Sequence, residues 1–168
     1  ISSEMIQASC ARQMSATACS VCDVRPANVV AKGSLLSPAP LCATRLLVQA
    51  AGHSPGSGAA DEIGSGDGRG YTVNVPLSPG ADDAVYLAAF DPLISRIVEQ
   101  FDPDLLLISA GFDAHRRDPL ASMAGSEWGY AAMLDRLSRA LPRGHAGRIA
   151  LLLEGGYDLT GLSESLRG

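Results

Sequence analysis

The stretch LLLISAGFDAHRRDPL, residues 105–120, decides the fold. It opens as an unbroken apolar run, Leu105 to Ile108, and closes through Ser109 and Ala110 at Gly111. A run of that kind ended by Gly predicts a strand buried on both faces, as in parallel sheets covered by helices. Ligands of open parallel sheets bind just past the carboxyl ends of the strands. Asp113 and His115 stand at such an end, and both side-chain types ligate metals. Two residues do not complete a tetrahedral site, so a capping Asp and a solvent-exposed loop His fit the spacing equally well.

Downstream, a helix is expected from Ser126 to Leu141. Ser126 is its N-cap, Glu127 lies in the first turn, and Tyr130, Met133, Leu134, Leu137 and Leu141 form its apolar stripe. Ile149 to Leu153 is a second continuous apolar run, hence another buried strand, and Glu154, Gly155, Gly156 and Tyr157 follow it. Asp158 then caps a last helical piece, Leu159 to Leu166.

Upstream, Tyr71, Val73 and Val75 alternate with Thr72 and Asn74, a strand stopped by Pro76 and Pro79-Gly80. Between this strand and the opening one, Tyr86, Phe90, Leu93, Ile94, Ile97, Val98 and Phe101 share one helical face. Pro92 in a helix interior would cost about 3 kcal/mol. Asp91 as N-cap with Pro92 at the first helical position avoids that cost, so a break or kink is expected there. The order β-α-β-α-β-α predicts an α/β fold with a parallel sheet.

The chain of 168 residues suffices for one domain with a real core. Its net charge of −5, with scattered Arg and a single Lys, leaves no basic footprint for nucleic acid. No apolar run reaches the roughly 20 residues of a membrane helix. The first residues lack the basic start and apolar core of a secretory signal, so a soluble cytoplasmic protein is expected. Residues 1–60 hold only six charged residues and all four cysteines. Cys19 and Cys22 form a C-x-x-C without a second pair at zinc-site spacing and without the strand and helix of a redox motif. Residues 1–52 therefore read as an unassigned, irregular leader. Residues 53–70 are a Gly-rich loop that matches neither a Walker A motif nor a dinucleotide fingerprint. A long loop of this kind is usually functional or disordered.

Three segments together, PGSGAADEIGSGDGRGYTVNVPL (55–77), SAGFDAHRRDPL (109–120) and LLLEGGYDL (151–159), resemble the zinc-dependent histone-deacetylase-like amidohydrolases. That group includes the histone deacetylases, acetylpolyamine amidohydrolases and acetoin-utilisation proteins. The resemblance covers residues 53–168 and implies the C-terminal portion of an arginase/deacetylase-like α/β fold, a mostly parallel sheet with flanking helices. It implies that Asp113 is a zinc ligand and that Tyr157 stabilises the tetrahedral intermediate. It also implies that Gly155 and Gly156 flank the acyl-lysine channel, that Leu120 lines it, and that Tyr71 lies near a structural monovalent cation. His115 is not a ligand in that family and becomes a loop residue.

Residues 1–52 contain no His, so neither the family's Asp-x-His ligand pair nor its tandem His pair is present there. Ser54 stands where an aromatic channel residue precedes the Pro-Gly turn. The expectation is thus a fragment of a zinc-dependent deacetylase acting on an acetylated protein or a small acetylated amine, joined to an unrelated leader. The alternative is a catalytically inactive remnant or binding module without a complete metal site. A sheet cut through its middle exposes apolar edges, so self-association of the isolated chain is expected as well.

Overall fold

The computed structural model describes residues 28–32, 42–50, 58–141 and 148–167. Cys10, Cys19, Cys22 and Ser54 lie outside these residues. The decisive stretch is strand β4, Leu105–Ala110. It belongs to a five-stranded sheet with β1 (Asn28–Lys32), β2 (Cys42–Ala50), β3 (Thr72–Leu77) and β5 (Ile149–Leu153). The order is β3-β2-β1-β4-β5. β2 pairs with β3 and β4 with β5 in parallel, whereas β1 runs antiparallel to both β2 and β4. Four strands therefore point one way and β1 opposes them.

Strands β1 and β2 fall where the sequence pattern gave an irregular leader, and for these two segments that expectation is corrected. Neither shows a local period. Long-range pairing forms them: Arg45 to Ala50 lie opposite Thr72 to Leu77, and Val29 to Ala31 opposite Leu105 to Leu107. Such pairing leaves little local trace, because strand preference depends mainly on neighbours.

The first long helical region starts at α1 (Asp83–Ala89), where Asp82 caps by accepting from the Val85 N–H at 3.1 Å. It does not break at Pro92. A π-turn, Phe90–Ile94, carries it into α2 (Ser95–Phe101), with the Ser95 N–H donating to Phe90 O. Pro92 has no N–H to donate and its ring crowds the preceding turn, so the helix widens there instead of stopping. Asp91 is thus not a cap, and its carboxylate binds Arg136 of the next helix. That helix, α3 (Glu127–Ala140), has Ser126 as N-cap, its Oγ accepting from the Gly129 N–H. Helix α4 (Leu159–Ser165) is capped by Asp158, which accepts from the Gly161 N–H at 2.6 Å.

The main core packs Phe90, Ile94, Val98 and Phe101 against Leu106 and Ile108 of β4 and against Leu137, Ala140 and Leu141. A smaller cluster of Leu77, Ala81, Tyr86, Ala121 and Met123 lies beside it. Burial of both faces was expected for β5 as for β4. Instead Leu151, Leu152 and Leu153 are exposed. Among the described residues, α2 and α3 cover β4, while of β5 only Ile149 packs against that core and Leu151 to Leu153 stay uncovered. No helix among these residues is long and apolar enough to cross a membrane.

Candidate functional site

At the carboxyl ends of β4 and β5 two backbone bonds fasten the loops together. The Glu154 N–H donates to Ala110 O at 3.1 Å, and the Phe112 N–H donates to Gly155 O at 2.9 Å. A single 3-10 turn, Phe112–Ala114, then presents Asp113. Its carboxylate lies against the Gly155 α-carbon, since a Cβ there would sit 3.0 Å from Asp113 Cγ. Gly156 has φ +130°, and a Cβ on it would come within 2.9 Å of Phe112 Cβ. Glycine is needed at position 156 for the loops to close on each other, and at position 155 any Cβ would press on the Asp113 carboxylate.

Tyr157 and Leu120 are each 62% exposed at the rim of this junction. One buried carboxylate holds the backbone beneath both. Asp118 Oδ1 accepts from the Leu120 N–H at 3.0 Å, and Oδ2 accepts from the Tyr157 N–H at 2.6 Å and the Asp158 N–H at 3.2 Å. The fold therefore gathers Asp113, Gly155, Gly156, Tyr157 and Leu120 around one pair of strand ends. Tyr71, half-buried just before β3, is not part of that loop pair.

Two tyrosines lie near Asp113. Burial, then the negative charge of Asp113, pushes the Tyr86 phenol up to about 12. Tyr130 is also pushed up, by burial first and then by Tyr86, Asp113, Asp118 and Asp83. Both phenols stay protonated across the physiological range. The Tyr130 ring packs on Phe112 with centroids 4.9 Å apart, and its buried hydroxyl has no hydrogen-bond partner among the described residues.

His115 is neither a ligand beside Asp113 nor an exposed loop residue. It is 1% exposed, and its Nδ1 accepts from the Arg117 N–H at 3.2 Å. Nε2 lies 3.4 Å from Glu127 Oε2 at the start of α3. A Cβ on Gly161 would come within 2.5 Å of the ring, so only glycine lets α4 pack on it. The sequence offered Asp-x-His as one unit, but Asp113 packs beside Gly155 and His115 beside Gly161 and Glu127. The His115, Glu127 and Glu164 ligand atoms lie within 4.8 Å of one another. Arg116 already binds Glu127 at 3.1 Å, so the group is an ion-paired joint between loop and helix.

Asp118 was not singled out from the sequence. Its signal was Asp-Pro one residue before Leu120, in the loop after a strand. That pattern reads as an ordinary turn until the carboxylate is seen to be buried.

Loop residues converging at the carboxyl ends of parallel strands are the ligand-binding plan of α/β enzymes. The profile of the histone deacetylase domain matches residues 49–168, and the chain belongs to that family. It is 43% identical over 107 residues to a probable deacetylase of Archaeoglobus fulgidus, covering 64% of this chain and 30% of that protein. It is 45% identical over 112 residues to histone deacetylase 15 of Arabidopsis thaliana, covering 66% of this chain and 20% of that one. The crystal structure of the HDA15 HD domain superposes with a TM-score of 0.65 at 42% identity, over 73% of this chain and 34% of that chain. The histone deacetylase Clr3 gives 0.64 at 35% identity, over 71% and 20%. The chain thus corresponds to part of a histone deacetylase domain and spans less than a third of the two relatives named.

That family implies a catalytic metal. Asp113 suits one ligand position, a carboxylate at a strand end with no side chain opposite it at Gly155. A catalytic zinc site takes three protein ligands. Among the described residues, Asp113 does not belong to a group of three or more His, Cys, Asp or Glu side chains in metal-binding geometry. The described residues alone therefore do not make up a complete metal site.

Proposed function

We propose that residues 53–168 are the C-terminal portion of a zinc-dependent deacetylase domain that hydrolyses acetyl-amide bonds, in acetyl-lysine or an acetylated polyamine. The observation that carries this reading is the convergence of Asp113, Gly155 and Tyr157 at one pair of strand ends. Asp113 is one ligand of the metal. The Tyr157 hydroxyl, on an exposed side chain, donates a hydrogen bond to the developing oxyanion. Gly155 and Gly156 leave room for an extended acyl chain, and Leu120 gives it an apolar wall. A structural monovalent cation near Tyr71 belongs to the same reading.

Hydrolysis belongs to the complete domain, because one carboxylate cannot hold a catalytic metal. The test is hydrolysis of an acetyl-lysine peptide and an acetylated polyamine by the full-length protein. Activity should vanish with a chelator and with Asp113→Asn. Tyr157→Phe should cost roughly a hundredfold or more in kcat, as removal of an oxyanion donor does. A zinc-loaded full-length protein that hydrolyses neither substrate would overturn the proposal.

A further inference from the structure

We propose that Asp118 is a positioning residue that acts through Tyr157. This rests on the deacetylase reading and adds a residue to it. Asp118 is 7% exposed, and a buried carboxylate is costly unless its oxygens are fully served. Here three backbone N–H groups serve them, from Leu120, Tyr157 and Asp158. Charge-assisted bonds of this type are the strong ones, and the 2.6 Å bond to Tyr157 N is the shortest of the three.

The three donors come from two segments that are distant in sequence. Leu120 follows β4, while Tyr157 and Asp158 follow β5. Pro119 carries no N–H, so the Leu120 N–H is the first one available to the carboxylate in an Asx-type turn. The remaining oxygen is thereby aimed at the other loop. The Tyr157 side chain is exposed, so among the described residues its anchor is the backbone N–H held by Asp118, next to Gly156 at φ +130°. The position of its hydroxyl therefore depends on where Asp118 holds its backbone. The same carboxylate sets the distance between Tyr157 and Leu120, so it fixes both an oxyanion donor and one wall of the acyl channel.

Asn at this position has one acceptor oxygen, and its NH2 would face donors. It cannot serve both loops. In the zinc-loaded full-length protein, Asp118→Asn is expected to lower kcat about tenfold or more while KM moves less than about threefold. In a Tyr157→Phe background the same substitution should change kcat less than about twofold, because the group it positions is gone. Asp118→Glu, which keeps both oxygens, should recover part of the loss. Equal losses in the two backgrounds would show a general structural role and overturn the proposal, and so would an unchanged kcat.

Hydrogen exchange of the unmutated full-length protein needs no variant to fold. The peptide spanning residues 154–160 should show a protected Tyr157 amide, and exchange as fast as in an open loop would overturn the anchoring. A wild-type protein without hydrolysis but with a protected Tyr157 amide would sink the deacetylase reading and leave the anchoring standing.

Discussion

Strands β4 and β5 are hydrogen-bonded neighbours with similar apolar runs, and they end in opposite surroundings. Leu106 is 1% exposed and Leu153 is 61% exposed. Leu106 and Ile108 face α2 and α3, which carry Val98, Phe101 and Leu137 into the same core. Leu151 to Leu153 have no such cover among the described residues. An apolar run reports that a strand needs cover without saying which residues provide it. For β4 the covering helices are adjacent in the chain. The β5 run asks for cover that the described residues do not give.

The sharpest way to break this comparison is truncation on the covered side. Leu106→Ala is expected to cost about 2–5 kcal/mol, since the site is closed on all sides and cannot collapse freely. Leu152→Ala should cost less than about 0.5 kcal/mol. Urea unfolding of both variants would measure it. Similar losses would mean that β5 is covered in solution after all.

Next in size is an alkaline effect confined to the covered region. The Tyr86 phenol has its folded pKa raised to about 12 from 10.0. The unfolded chain loses that proton first, so between those values the folded state binds more protons and stability falls as pH rises. Two units correspond to about 2–3 kcal/mol, lost by the time pH passes the folded value. Below pH 10 this contribution is constant. Tyr86→Phe should remove the Tyr86 share of the fall between pH 10 and 12 in a denaturant titration and leave the share of Tyr130, which is also pushed up, and an equal slope in both proteins would reject the assignment.

Much of this architecture was legible because its determinants are local. Ser126 and Asp158 were read as caps, and they cap α3 and α4. The apolar stripe over residues 82–101 was read as a helix, and its period survives the π-turn. The irregularity at Pro92 is legible but its form is not, because proline has two solutions in a helical pattern, a capped new start or a widened turn, and only tertiary packing decides. Partners distant in sequence were not legible. β1 and β2 depend on strands far along the chain, His115 is buried by Glu127 and Gly161, and Asp118 by Tyr157. Of the site, Asp113, Gly155, Gly156, Tyr157 and Leu120 were named from motif resemblance. The carboxylate that holds two of them was invisible, because burial is not a property of an Asp-Pro pair.

Gly129 tests how tightly the covered side is fitted. A Cβ there would lie 2.1 Å from Asp83 Oδ1, and that carboxylate also accepts from the Ser126 N–H and hydroxyl. Gly129→Ala gains up to about 1 kcal/mol of helix preference. The clash costs about 1–3 kcal/mol, as overpacking does. A net loss is expected, turning neutral or favourable in an Asp83→Ala background. A thermal melt of the four proteins in the cycle reads it directly. A gain in the wild-type background would mean that the α1–α3 joint has slack.

The smallest effect on stability belongs to the open side, and it is the one that separates exposure from function. Leu152 is 51% exposed, so Leu152→Lys should change folding stability by less than about 0.5 kcal/mol. Its effect should appear in self-association. An edge strand with exposed apolar side chains, Leu151 and Leu153 on one face and Leu152 on the other, is a template for another chain, and a lysine on it is a known deterrent. Sedimentation of the 168-residue chain is expected to show concentration-dependent association that Leu152→Lys reduces. The matching substitution on the covered side, Leu106→Lys, should instead unfold the protein, because it buries a charge with no partner. If the unmutated chain sediments as a monomer, the β5 face is not adhesive, and its exposure then says only that the strand is stable at an edge through its bonds to β4.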